Sequence, residues 1–555
     1  THAANDAERS EALQNAGDLA LKLGKNEEAR RQLEAAFNLN PTQVPLLEKL
    51  FEVYKTANEA ERILMVGERL VIVEPQRKRP QSFYLTLADA AEKTRTDAAR
   101  IMELYQLAGS ADPLTVPMLE RAIQAADGAG KHSERLEWEE ERLSHVQATA
   151  EDYARLGAIA RDRMQDNALA ERYFRLARSV DPKALGPVIA LAGLIAGQKD
   201  KTQEAIALYK ELALRSPIDP EPYRLLARLY GQEQDVDRTF QYYDLLRALD
   251  PADEEAERFI SAAHRVLTEL PPRGLGKNEL GQIADPGLLT PLQQFFGPLA
   301  AQAEMLYATD VTRLGLSDQD IIQLDQGFGR RLALLMQRMG GRALEVLSYR
   351  AKVGGRDAII EPGAPARLIV SSDTPDMPPR AINFVVCRAL AFLALGHLLP
   401  NRLPASDLAT LLGLLCRRFV PDLEVKNVPA DRASFVVERF RAITPDEAWA
   451  GHLQVASGFA TGAYMQSSLI EDIDNWVRSG ERTADRWALL MCGDLAQAFS
   501  ATKQVGHVRT QPLPPRGSQR LSAIAARPDL LDLLSFGASD TYLSVRQALG
   551  LTLRR

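Results

Sequence analysis

The sequence predicts a mostly α-helical protein: a right-handed α-solenoid of stacked helix pairs, followed by a compact, mainly helical domain with a small β-sheet. Three observations carry that reading. Prolines preceded by an acidic or polar residue recur at Pro41, Pro75, Pro113, Pro182, Pro217 and Pro251. Their intervals are 34, 38, 69, 35 and 34 residues, and the long one is close to two periods. Aromatic residues make up only 6% of the chain while Ala and Leu abound, a balance that favours helices. A stretch dense in Pro and Gly, Pro271 to Pro298, then interrupts the period.

Each period ends alike, in LEAAFNLNP, YFRLARSVDP, YKELALRSP and YDLLRALDP. Each ending reads as an amphipathic helix stopped by a proline, which lacks an N–H and clashes with a preceding carbonyl. The first unit carries Gly17 and Ala20 on one helix, a turn at Gly24, then Ala29, Leu33, Ala36 and Pro41. A later one has Tyr153, Leu156 and Gly157, then Ala170, Phe174, Ala177 and Pro182. The unit ending at Pro217 supplies Gly193, Ala205 and Tyr209. The one from Tyr223 adds Leu226, Ala227, Tyr230, Tyr243, Leu246 and Pro251. Small residues let two helices cross closely and large ones fill the gap to the next pair.

These residues resemble the tetratricopeptide repeat family. The pattern weakens in the units ending at Pro75 and Pro113, where Phe51, Ile63, Asp89 and Ile101 stand where small residues are expected. A further hairpin around Ala125 to Val146 follows from spacing alone. Roughly seven helix pairs are expected over residues 8–265, within a solenoid spanning 1–268. The resemblance implies a concave face lined by polar residues of each first helix: Gln14, Asp18, Lys22, Arg161, Arg224 and Arg228. Arg224 and Arg228, four apart, fall on one helical face and are spaced to clamp a carboxylate. The competing reading is a solvated face that pairs with neighbouring Asp or Glu.

Residues 269–290 read as a Pro/Gly-rich connector, and 291–555 as the second domain. Helices are expected over 292–306 and 321–339, and short strands between about 343 and 371 form a three-stranded sheet, the only β structure expected. Further helices follow at 381–398, 406–419, 431–442, 444–466, 469–479 and 482–499, with Asp446 at a helix start, then a loop at 511–517 and two closing helices.

A small sheet, a long apolar helix and a later helix with an acidic motif together resemble the gluzincin zinc metallopeptidases. Their ExxAD pattern has a counterpart at Glu481, Ala484 and Asp485. Where that family has its HExxH helix, this chain reads Cys387-Arg388-Ala389-Leu390-Ala391-Phe392. Arg388 and Phe392 stand in place of the two His ligands and Ala389 in place of the general base. The resemblance therefore implies a catalytically dead relative that holds no metal, with Glu481 facing Arg388. The alternative is that Glu481 is a solvated residue at a helix start.

Other chemistry is poorly supported. The acidic side chains outnumber the basic ones, 74 to 67, so no bulk attraction to nucleic acid is expected. QRKRP at 76–80 and Cys416-Arg417-Arg418 lack interleaved aromatics. The three cysteines, Cys387, Cys416 and Cys492, are too few and too scattered for a disulfide framework, so a reducing, cytoplasmic setting is expected. No two of the histidines share a helical face, His397 reads as a helix-end residue, and there is no G-x-S-x-G elbow or Walker loop. Trp476 and Trp487 read as core residues. Phe384 to Leu399 carries Arg388 and His397 and is too short to span a membrane comfortably. Opening on Thr1 is expected of a fragment or processed product, and no signal peptide is read.

The function expected is a non-catalytic scaffold or adaptor of bacterial type, needing no cofactor. Its solenoid would bind a peptide or subunit of a partner and its second domain would dock another. The alternatives are a hydrolase with an unrecognised site in 291–555, or a structural subunit of a larger assembly.

Overall fold

The structure, a computed structural model, describes residues 2–308, 315–340, 344–349, 357–363, 365–419, 423, 425, 430–444, 469–502, 504–505 and 508–553. It divides into two compact units, Thr1–Lys199 and Asp200–Arg555. The first holds α1 (His2–Lys22), α2 (Asn26–Leu39), α3 (Val44–Ala57), α4 (Ala60–Val73), α5 (Gln81–Lys93), α6 (Ala98–Ala111), α7 (Val116–Gly128), α8 (His132–Ser144), α9 (Ala150–Asp162), α10 (Asn167–Val180) and α11 (Leu185–Ile195). From α1 to α10 these are stacked helix pairs, each first helix packed on its second and on the pair before it.

The repeat period reappears in the backbone. Gly24, Asn58, Arg95, Gly130, Gln165 and Gln234 all sit at φ between 53° and 71°, each at the turn from a first to a second helix. Two of the six are glycines, so at the other four tertiary packing imposes a conformation that the residue itself disfavours. The turn due near residue 199 is built differently, as a 3-10 segment, Lys199–Lys201, and the compact units divide there.

Small-against-large packing explains both the strong and the weak repeats. A Cβ at Gly157 would lie 2.6 Å from the Phe174 ring, and one at Gly17 would lie 2.8 Å from Leu33. In the repeat ending at Pro75 the two roles are exchanged. Phe51 is buried on the first helix and meets the Phe83 ring at 4.8 Å, while Gly67 on the second helix leaves room for Phe51 and Leu87. Volume is conserved though the pattern is inverted.

The second unit opens with α12 (Thr202–Arg215), α13 (Pro220–Gln232), α14 (Val236–Leu249) and α15 (Glu254–Val266). Next come α16 (Lys277–Ile283), α17 (Pro291–Met305) and α18 (Gly327–Arg338). The sheet has β1 (Glu345–Tyr349), β2 (Ala358–Glu361) and β3 (Arg367–Ser371) in the order β1-β3-β2, with β1 parallel and β2 antiparallel to the central β3. Then follow α19 (Pro379–Ala394), α20 (Ala405–Cys416), α21 (Ala430–Ile443), α22 (Leu469–Cys492) and α23 (Leu495–Ala501). A two-residue ladder, β4 (Gln504–Val505) with β5 (Val508–Arg509), precedes α24 (Gly517–Ala525), α25 (Pro528–Gly537) and α26 (Asp540–Ala548).

Several expectations need correction. The β content is not confined to the three-stranded sheet, because β4 and β5 pair as well. The two helices expected at 469–479 and 482–499 are one helix to Cys492, and the break comes at Gly493, φ +64°. The ExxAD residues therefore lie mid-helix rather than at a helix start. The stretch 269–290 is not an irregular connector: it contains α16, whose Glu279 carboxylate accepts from Gly276 N at 2.8 Å, and it is fastened to α22. There Thr483 Oγ1 accepts from Asp285 N at 3.0 Å and Arg482 reaches the Asp285 carboxylate at 3.0 Å. The helix expected at 444–466, Asp446 included, falls almost wholly outside the described residues.

The compact units divide at Lys199–Asp200 rather than within 269–290, and α14 supplies the reason. Its residues are buried almost throughout because α13 and α15 cover part of it and α23, α25 and α26 cover the rest. Gln241 donates to the carbonyls of Gly537 and Ser539 at 2.7 and 2.9 Å, Arg520 to the Ala248 carbonyl at 2.7 Å, and Asp237 accepts from Leu553 N at 2.7 Å.

Two outcomes are expected. A 200–555 fragment unfolds cooperatively in denaturant, whereas 269–555, stripped of α12–α15, aggregates or lacks a cooperative transition; an equally sharp transition in both fragments counts against this division. Gly67→Ala lowers stability by about 1–3 kcal/mol through overpacking against Leu87, while Gly193→Ala, with open space around it, does not destabilise.

Candidate functional site

The polar residues expected on the first-helix face of unit 1 are largely engaged with neighbouring side chains. Gln14 is buried, and its amide reaches Gln43 Oε1 and lies 3.5 Å from Ser10 Oγ. Asp18 accepts from Lys49 Nζ at 2.7 Å, and Lys22 is exposed. Arg161 grips the adjacent Asp162 at 2.7 and 3.0 Å and lies over the Phe174 ring. Such ties recur along the array: Arg121 on α7 holds Asp89 at 3.1 Å and Glu92 at 2.6 Å on α5, and Arg62 on α4 pairs with Glu34 on α2.

A notch of about 350 Å³ opens among α3, α4, α5 and α7. Ile63, Leu85 and Ala90 give it apolar walls, and Lys55, Lys93 and Arg121 bring cations to it. These cations are neutralised locally: Lys93 reaches Asp89 at 2.7 Å and Lys55 reaches Glu52 at 3.6 Å. Hydrogen bonding from Lys93 holds the Asp89 carboxyl below its usual range. Sequence reading named none of these residues as notch-lining, because a cavity between successive pairs leaves no local pattern.

Arg224 and Arg228 do share one face of α13, but each guanidinium already has acidic partners. Arg224 reaches Asp253 at 3.0 Å and pairs with Glu221. Arg228 reaches Glu255 at 2.6 Å, and the same carboxylate accepts from the Tyr243 hydroxyl at 2.6 Å. The two bonds hold Glu255 below its usual pKa, the one from Arg228 counting more. The geometry is that of an internally paired face.

At the peptidase-like position, Arg388 on α19 pairs with Asp485 on α22, and not, as expected, with Glu481. Both partners are buried, and the guanidinium lies over the Phe392 ring at 5.2 Å. Burial pushes the Asp485 carboxyl up to about 6 against the pull of Arg388. Burial likewise opposes the Arg388 charge, but Asp485 holds its pKa above the usual value. Ala389 packs in the core and Glu481 is half-buried. A filled ion pair thus occupies the place where the resemblance would put ligands. Among the described residues no group of three His, Cys, Asp or Glu is arranged to hold a metal ion.

Sequence reading missed a denser cluster where α14 meets the break between α22 and α23. Asp244 accepts from Leu495 N at 3.0 Å, and Arg247 reaches Asp494 at 2.5 Å. Arg380 donates to the Cys492 carbonyl at 2.9 Å, and Arg546 stacks on Phe240 at 4.4 Å. Burial, then Asp494, pushes Asp244 up to about 6. Burial, then Arg380, pushes His264 down to about 4. The one local signal was Gly493, which ends α22 and frees Asp494 to cap α23 through Gln497 N at 2.8 Å.

The thiols do not form a nucleophilic site. Cys387, Cys416 and Cys492 are free and buried, and burial raises all three, Cys416 to about 12.

Residues 10–43 match the tetratricopeptide repeat family. Among curated proteins, none matches the chain. Several solved structures are similar in fold. The C-terminal part of a TPR repeat-containing protein from Cytophaga hutchinsonii is 15% identical, covering 44% of this chain and 98% of that one at a TM-score of 0.25. YrrB, described as a TPR protein with an unusual peptide-binding site, is 12% identical, covering 35% of this chain and 96% of its own at 0.24. Yeast Tom70 is 15% identical, covering 47% of this chain and 54% of its own at 0.22. The N-terminal region thus contains a tetratricopeptide repeat, at residues 10–43. Among the described residues no helix is long and apolar enough to cross a membrane.

The buried pair yields a prediction. Arg388→Ala leaves Asp485 uncompensated and lowers unfolding free energy by about 3–5 kcal/mol, whereas Arg388→Met with Asp485→Leu recovers most of it. Denaturant titration of the two variants checks this, and a neutral Arg388→Ala contradicts it.

Proposed function

We propose that this protein is a non-catalytic adaptor whose array at 1–199 receives an extended segment of a partner protein, while 200–555 is a rigid body that docks a second partner. The observation that carries this is the notch among α3, α4, α5 and α7, a cleft of mixed polar and apolar lining in an array that begins with a tetratricopeptide repeat. Its size suits one side chain of a bound strand or helix.

In this reading the second unit is not an enzyme. Its thiols are buried, and its most perturbed carboxylates, Asp244 and Asp485, are internal and paired with arginines. Perturbed pKa values of this kind also arise from structural ion-pair networks. On this reading a non-catalytic peptidase relative would carry the Arg388–Asp485 pair in place of ligands. A reducing, cytoplasmic setting fits three free cysteines.

The test is a peptide library presented to the full chain, read by fluorescence anisotropy. Thr86→Trp fills the notch from α5; it should cost tenfold or more in affinity, about 1.4 kcal/mol, with the melting temperature unchanged. Peptides bound equally well by wild type and variant place the receptor elsewhere. Binding confined to folded partners favours the structural-subunit role.

A further inference from the structure

The seam between α19 and α22 buries a histidine that has no counter-charge beside it. The chain leaves α19 through Gly396, φ +66°, and His397 N donates back to the Phe392 carbonyl at 2.7 Å. The imidazole is fully buried and stands edge-on to the Trp476 indole, ring centroids 4.6 Å apart. Neither ring nitrogen finds a hydrogen-bond partner of ordinary geometry. A Cβ at Gly480 would lie 2.0 Å from His397 Nε2 and 2.1 Å from its Cδ2, so α22 passes this point only because residue 480 has no side chain.

The surroundings are neutral. Trp476 donates through Nε1 to Gln293 Oε1 at 3.1 Å and stacks on Phe296, and Gln293 donates to the Leu395 carbonyl at 2.9 Å. Bordering these contacts in sequence are Asp474, Arg478 and Glu481 on α22, Glu304 on α17 and Arg402 past the turn; Arg388 on α19 is taken by Asp485. None of them shifts the imidazole. Burial alone pushes His397 down to about 4, with the backbone of Val477 and Trp476 resisting in part. Beside the seam lies a groove of about 600 Å³, lined by Gln293, Gly297 and Ala300 from α17 and by Leu393, Leu395 and Gly396 from the end of α19.

We propose that His397 is an acid-operated wedge: on taking up a proton, the turn that carries it leaves the α19–α22 seam and opens the adjoining groove. An imidazolium needs acceptors for two N–H groups and a counter-charge; the seam offers the backbone of Val477 and Trp476 but no counter-charge, so the charged form is better accommodated outside it. The sign follows from linkage. A histidine whose folded pKa is depressed supports the closed seam above about 6.5, and that support is lost as pH falls. The opening constant rises about tenfold per pH unit from about 6.5 down to about 4 and levels off below.

Asp244, Asp485 and His264 titrate in the same range, so the readout must be local. Hydrogen exchange of the full chain, corrected for intrinsic rates, follows peptides spanning 290–305 and 390–402 over that pH range. The expected result is loss of protection of about tenfold per pH unit there in the wild type, and a flat profile in His397→Gln and His397→Leu. Parallel profiles in wild type and variants overturn the proposal. If neither variant folds, Trp138, Trp449 and Trp487 are replaced by Phe so that Trp476 reports alone. A reversible acid shift of its emission then supports the wedge, and constant emission down to pH of about 4 overturns it.

Discussion

Most of the second unit depends on one constraint: the charges buried where α14 meets the α22–α23 break must all be satisfied at once. Asp244 and Asp494 share Arg247, and Asp244 also takes the Leu495 N–H, an otherwise unpaired donor at the start of α23. A buried ion pair of this sort adds little net stability but makes separation of its partners costly, because each would be left charged and unpaired. It therefore acts as a latch of high specificity. Four elements distant in sequence, α14, α19, the α22–α23 junction and α26, are fixed to one another through it, by way of Arg380 and Arg546.

The same constraint reshapes the end of the repeat array. A repeat helix ordinarily buries one stripe against its neighbours and leaves the rest to solvent. On α14 polar residues such as Gln241, Asp244 and Arg247 sit where solvent would be expected, and each is matched by a group from the C-terminal helices. Repeats by sequence, α12–α15 are therefore part of the second unit by packing.

The repeats were legible in sequence because their signal is local and recurs: a proline stop, a small residue at the crossing, a large one opposite. Where legibility failed, the physics was non-local. Phe51 looked out of place until Gly67 was seen to supply the missing space from the other helix. At Arg95, Gln165 and Gln234 the left-handed turn is forced by packing on residues that do not advertise it. Glu481 was the expected partner of Arg388, yet Asp485, one helical turn further along α22, is the one that pairs, because the helix runs unbroken through the motif. The buried cluster around Asp494 was not legible at all, since no spacing rule connects residues 244, 380, 494 and 546.

Charge satisfaction also bears on where binding can occur. An arginine already held by two carboxylates gains little from a third, and the ligand's own desolvation must be met as well. Arg224 is in that position, as is Arg121 at the notch, while Arg228 is held by Glu255. In the proposed reading the shape of the notch counts for more than its charge, and the paired side chains around it hold that shape. That ordering, shape before charge, is why we place partner recognition in the notch of 1–199 and not on the paired arginines of α13.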